Sequence, residues 1–501
     1  MPDYMYLLES RLSPEQRAAL ERVQELARAQ NLNAYLTGDA VRELISGRPI
    51  RNLDFTVEGN PQRIVRELEK GGARVTWESE RLRQYELVFA GDADGSLSAA
   101  RDDVYERPGA KPEYRFGGIM EDLRRRDFSI NAIAISLNVQ SRGLLLDPTN
   151  GLADLERQEV RTLSIHAFTN QPALLLRILR YVALTGCKME SRTQEWFELA
   201  LNRGLDKNIA HGDAGQELRS LAHDENPVPA LQQWEARGLL AAIHPQLQRR
   251  KPAYDRLNKL ARVRMNYLAA GLRPRLQTAA LTYILGRLKA RECAAALRDM
   301  GFRSAEIDAI ASLVPEAQKI VKMLKSAKTS LPRDAYFYLA SVPAELLVFI
   351  EVQLPDPRAL SKIRNYIQKW RPMRLALPVA ELDAMGVPRG PKFDSILEHL
   401  FEKQLRGKAR TPEDRTKALR ELAGIKEAAE KKPPKKQKGK ETQSAAASDA
   451  TEAKAHHSPQ ASPHAQSGTD VDSTRAKPQK AKNASQKAHA KPHSAGKPRR
   501  R

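Results

Sequence analysis

The sequence predicts an α+β chain, with a mixed-sheet domain near the N-terminus followed by a long all-helical region. Three observations carry this. From 34 to 139, short runs of strand composition alternate with short helical patterns. Beyond that stretch, amphipathic helical patterns follow one another almost without interruption. No fixed-period repeat marks a solenoid.

Each element has its own signal. Ser13-Pro14-Glu15-Gln16 opens a helix, with Ser as N-cap, Pro at the first helical position and Gln poised for a capping box. Leu20, Val23, Leu26 and Ala27 then repeat at helical spacing through about Ala29. The runs "AYLTG", "NLDFTVEG", "ARVTWES", "YELVFAG", "SLSAARDD" and "INAIAISLNV" read as strands. "AVRELISG" and "PQRIVRELEKGG" read as helices, the second closed by glycines suited to a C-cap. Farther on, "QPALLLRILRYVALTG" and "QTAALTYILGRLKARECAAALRDMG" are helical between Gly, Pro and Asn breakers. The expected divisions are an N-terminal helix (1–30), the sheet domain (31–165), helical regions at 166–240, 241–375 and 376–425, and a basic tail (426–501).

The tail stands apart in composition. Phe401 is the last aromatic residue, and 431–501 holds 17 Lys/Arg against 5 Asp/Glu, a net +12. That leaves +10 of the chain's formal +22 for the other 430 residues. So little apolar surface cannot offset the entropy of ordering, and disorder is expected there. A basic chain with a basic tail points to a polyanionic partner, since Lys and Arg displace counterions condensed on a phosphate backbone. Deleting 431–501 is therefore expected to weaken polyanion binding and flatten its salt dependence while leaving the melting midpoint nearly unchanged. An affinity and salt slope untouched by the truncation would remove the tail from binding.

Other classes are disfavoured. Cys187 and Cys293 are the only cysteines, far apart and without metal-ligand spacing, so neither a disulfide framework nor a structural zinc site is expected. The charged N-terminus lacks the apolar stretch of a secretory signal, and no run approaches a membrane span. A reducing cytoplasm is the expected compartment.

Four segments could carry chemistry. Gly38 closes "YLT" and opens a helix, where backbone amides and the helix N-terminus favour an anion; Arg42 sits one turn in. In "RNLDFTVEG", strand alternation puts Asn52, Asp54 and Thr56 on one face, with about 6.6 Å per two-residue step. In "EDLRRRDFSINAIA", Arg124, Arg125 and Arg126 precede Asp127 and a strand expected to begin at Phe128. In "ALLLRILRYVALTG", Arg177 and Arg180 lie on an otherwise apolar helix, a costly placement unless each is paired or bound to a ligand.

Together, "AVRELISGRPI", "LDFTVEG", "LRRRDFSINAIAI", "DPTNGLADL" and "LLLRILRY", in that order, resemble the class II tRNA nucleotidyltransferases (CCA-adding enzymes) and the related bacterial poly(A) polymerases. The likeness is good over 30–240 and looser beyond. It implies a polymerase-β-type nucleotidyltransferase head, followed by helical neck, body and tail. It further implies two Mg²⁺ ions held by strand carboxylates, ATP or CTP as substrates and the 3′ end of a tRNA or other RNA as acceptor. The nucleotide would then meet Gly38, Asp39, Arg42, Arg126, Asp127, Asn131, Arg177 and Arg180, with Asp54, Asn52 and Asp94 as the catalytic set and Asp54 as principal metal ligand.

The match departs where the chemistry should be. The family's Gly-Gly turn is Gly38-Asp39 here, and its Asp-x-Asp is Asn52-Leu53-Asp54. A further acidic position falls on Ser96, with Asp94 two residues away on the same strand face as a substitute. The base-reading segment aligns with Ala173–Arg177, putting Leu174 where an Asp is expected. Two readings stay open: a divergent RNA nucleotidyltransferase relaxed in base choice, with Asp39 or Asp94 completing the metal site, or a catalytically impaired relative that binds RNA. A nucleotidyltransferase for small-molecule acceptors is disfavoured, since it needs neither the helical region nor the tail.

Overall fold

The computed structural model describes residues 3–425 apart from 108, 109, 111 and 410; the basic tail predicted at 426–501 lies outside the described residues. The chain divides into two units, Met1–Ala428 and Ala429–Arg501.

Two helices come first, α1 (Tyr4–Arg11) and α2 (Pro14–Ala29). The predicted start of α2 is realised: Ser13 caps it and forms the full capping box with Gln16. The Gln16 side-chain amide also donates to the Ile50 carbonyl at 2.9 Å, tying α2 to the sheet domain. Nothing in the sequence reading anticipated α1.

The sheet domain runs β1 (Ala34–Thr37), α3 (Gly38–Ile45), β2 (Leu53–Val57), α4 (Gln62–Lys70), β3 (Arg74–Ser79), β4 (Gln84–Val88) and β5 (Asp94–Ala99). The hairpin β6 (Arg101–Val104) and β7 (Glu113–Phe116) follows, then α5 (Ile119–Arg124), β8 (Ala134–Ser136) and β9 (Leu145–Leu146). Seven strands form one sheet in the order β3-β4-β5-β2-β1-β8-β9. It is mixed, as predicted: β2 pairs parallel with β5 and antiparallel with β1. The run "SLSAARDD" is not one strand but divides between β5 and β6.

The strand expected to start at Phe128 is shorter and later. Phe128 makes one isolated bridge, Ser129–Asn131 form a 3-10 turn, and pairing begins only at Ala134. The turn aims Asn131 back toward α3.

After α6 (Gly151–Glu156) and β10 (Glu159–Val160) come α7 (Ala167–Asn170), α8 (Leu174–Thr185), β11 (Lys188–Met189), α9 (Ser191–Asn202) and α10 (His211–His223). From there to Ala423 the described chain is helical. One core gathers Phe128, Leu174, Trp234, Tyr267, Phe349 and Phe401, while α1 and α2 share the core of the sheet domain through Leu8, Leu20 and Val23. Both cysteines are free. No single helix among the described residues is long and apolar enough to cross a membrane.

Candidate functional site

The turn between β1 and α3 is where the separate sequence segments meet. Gly38 has φ +65°, a left-handed conformation that favours glycine. A Cβ there would lie 3.4 Å from Asp54 Oδ2 and 3.5 Å from Arg126 Nη1. The turn, the strand and Arg126 of the arginine run therefore lie side by side.

Asp54 lies on β2 in the middle of the sheet, facing Thr37 on one side and Ser96 on the other. Ser96 Oγ donates to its Oδ1 at 2.8 Å. Burial, with the negative charge of Asp39 adding to it, pushes the Asp54 carboxyl up to about 6; the Ser96 bond and the Arg126 charge oppose this only in part.

The other two members of the expected catalytic set do not join it. Asn52 is exposed and lies just before the first paired residue of β2. Asp94 is on the strand face expected of it, but its carboxylate is paired with Arg275 at 3.0 Å and not with Asp54. The correction has a physical cause: a cation from the helical region, 181 positions downstream in the sequence, claims Asp94.

Among the described residues, no three His, Cys, Asp or Glu side chains cluster closely enough to hold a metal ion. Divalent Mg²⁺ seeks several oxygen ligands with charge among them, whereas this site offers Asp54, raised toward neutrality, and Asp39, whose carboxylate is bound to Arg42. The residues do not fit a two-metal centre.

The arginines predicted to meet the nucleotide are engaged inside the protein. Arg126 donates to Asp122 Oδ2 from Nε and Nη2 at 3.1 and 2.8 Å, to Thr56 Oγ1 at 3.2 Å and to the Asn131 carbonyl at 3.1 Å. Arg42, only 2% exposed, donates through Nη1 to Asp39 Oδ1 and to Asn131 Oδ1, both at 2.5 Å. Burial alone would raise the Asp39 carboxyl, yet Arg42 and, more weakly, Arg180 and Arg51 hold it down at about 2.

On the neck helix α8, Arg177 binds Glu217 through Nε and Nη2, both at 2.6 Å, and reaches Asp127 through Nη1. Arg180 lies between Asp224 at 3.5 Å and Glu217 at 3.7 Å. Tyr181 connects neck to head, its hydroxyl 3.4 Å from Asp39 Oδ1 and its ring 4.9 Å beneath the Arg42 guanidinium. Leu174 is 2% exposed and packs within the helical core.

Gly38, Asp39, Arg42, Asp54, Arg126, Asp127, Asn131, Arg177 and Arg180 thus form one connected neighbourhood. Sequence reasoning missed its acidic half: Asp122, Glu217 and Asp224, each buried. Asp122 had a local signal, standing three and four residues before Arg125 and Arg126 on one helical turn. Glu217 and Asp224 had none.

Residues 34–161 match the model of the poly A polymerase head domain. That stretch is similar to a poly A polymerase head domain. The chain is 23% identical over 439 residues to an A-adding tRNA nucleotidyltransferase of Geobacter sulfurreducens, covering 84% of this chain and 48% of that protein. To the A-adding tRNA nucleotidyltransferase of Aquifex aeolicus it is 27% identical over 394 residues, 74% and 44% of the two chains. To that of Halalkalibacterium halodurans it is 31% identical over 232 residues, 46% and 54%. The chain spans about half the length of these curated relatives. The head domain coincides with the seven-stranded sheet and ends at β10, just short of the neck helix that supplies Arg177 and Arg180.

Proposed function

We propose that this chain is a member of the tRNA nucleotidyltransferase family that acts on RNA 3′ ends in tRNA processing, with a site suited to recognition more than to rapid nucleotide transfer. Relatives named A-adding and CC-adding tRNA nucleotidyltransferases support the RNA 3′ end as target. The net +22 charge supports a polyanionic partner, and a cytoplasmic site of action goes with it. The observation that carries the second half is that no second carboxylate is free to work with Asp54. Asp54 has Ser96 beside it, Asp39 is bound to Arg42, Asn52 brings no charge, and Asp94 is paired elsewhere.

A second reading, a working transferase for ATP or CTP, is favoured by one observation. The left-handed Gly38 still brings the helix N-terminus against Asp54 and Arg126, the arrangement a nucleotide phosphate would use.

One experiment separates the two. Purified protein is incubated with radiolabelled ATP or CTP, Mg²⁺ or Mn²⁺, and a tRNA lacking its 3′ end, while RNA affinity is measured in parallel. Incorporation by the native chain is expected to be weak, to stay weak in Asn52→Asp because position 52 is exposed and outside the site, and to vanish in Asp54→Ala with RNA affinity unchanged. Solid turnover that Asp54→Ala leaves intact would overturn the assignment of Asp54. Failure to bind RNA would overturn the recognition role.

A further inference from the structure

The β1–α3 turn has the parts of an anion seat. Gly38 lets the backbone turn sharply into α3, whose N-cap Thr37 makes no side-chain cap. Arg42, Arg180 and Tyr181 converge there from two different elements. Arg42 supplies an independent sign that a ligand belongs here: its Nη2 is buried and makes no hydrogen bond, with Glu43 Oε1 standing 4.0 Å away. A guanidinium N–H without an acceptor at that depth is costly.

The seat nevertheless holds an anion already. Asp39 puts its carboxylate 2.5 Å from Arg42 Nη1 and 3.4 Å from the Tyr181 hydroxyl. Its side chain keeps 27% of its surface exposed, so the same position is open to an anion from solution. We propose that Asp39 is a resident anion: its carboxylate occupies the seat that Gly38, Arg42, Arg180 and Tyr181 form for a phosphoryl group. Free phosphates are thereby kept out of the head domain. Both contacts, from Arg42 Nη1 and from the Tyr181 hydroxyl, go to Oδ1, and Arg42 Nη2 is left without a hydrogen bond. This rests on reading the head as a recognition domain, and it gives a reason that transfer would be weak besides the missing carboxylates near Asp54.

The test uses the full chain and inorganic tripolyphosphate without metal, followed by calorimetry. Native protein is expected to bind weakly. Asp39→Gly, and the isosteric Asp39→Asn should the first variant fold poorly, are expected to gain affinity at least about tenfold, the worth of a charge-assisted contact restored to the ligand. Adding Arg42→Met to either variant should erase the gain. Native protein binding tripolyphosphate as tightly as the variants would overturn the proposal, as would a variant with no gain or a gain that survives loss of Arg42. RNA affinity, measured on the same preparations, reports on the recognition role separately, because tripolyphosphate carries no base or sugar.

Discussion

Glu217→Ala is expected to lower the unfolding free energy by about 3–5 kcal/mol, read as a shift of the urea midpoint. The residue is 1% exposed and is the shared partner of two arginines, bonding Arg177 at 2.6 Å and facing Arg180 at 3.7 Å. Its removal leaves the buried Arg180 with Asp224 alone and the partly exposed Arg177 with Asp127 alone. Arg180 above all would still be out of water but short of an acceptor. The loss therefore comes mainly from stranded charge and not from the pair's net worth. Glu217→Gln keeps the shape and some acceptor capacity, so its shift should be smaller. A triple replacement, Arg177→Met, Arg180→Met and Glu217→Leu, removes all three charges and should recover much of the stability. A Glu217→Ala shift below about 1 kcal/mol would mean that water reaches the network freely.

Leu174→Asp should be comparably severe, at about 4 kcal/mol or more. Leu174 is 2% exposed among Leu175, Ile178 and the rest of the helical core. Losing a buried leucine alone costs about 2–5 kcal/mol, and a carboxylate placed there adds an unpaired polar group. Leu174→Met, close in volume, should cost less than about 1.5 kcal/mol. If position 174 lined a nucleotide pocket, the Asp variant would instead stay near native stability and gain preference between ATP and CTP. That result would reverse the present account of the neck helix.

Much of the fold was legible because its signals are local. The Ser13 capping box, the alternation of β2 and the left-handed glycine at 38 each follow from a few neighbouring residues. The meeting of Gly38, Asp54 and Arg126 became readable once the segments were seen in family order. Reading failed where a partner lies far along the chain. Asp94 was given the correct strand face, but its charge belongs to Arg275. Arg177 and Arg180 were flagged as needing partners; those partners lie on α10 and at its end, about 40 residues on, where no pattern identifies them. The strand expected from Phe128 failed for another reason. "FSINAIA" alternates well enough for a strand, yet its first residues serve a tight turn that carries Asn131 to Arg42.

The position of β1 also bears on how the head assembles. It pairs with β2 on one edge and with β8 on the other, Tyr35 standing opposite Thr56 and Ser136. The first partner is about 20 residues away in the chain and the second about 100. Joining ends separated by about 100 residues costs on the order of 4 kcal/mol in loop entropy. On the ribosome, then, β1 can find β2 early, but its other edge stays open until Ser136 has emerged. During that interval the nascent head exposes an unpaired strand, and Asn138, whose Oδ1 receives the Ala34 amide at 2.8 Å, completes the closure.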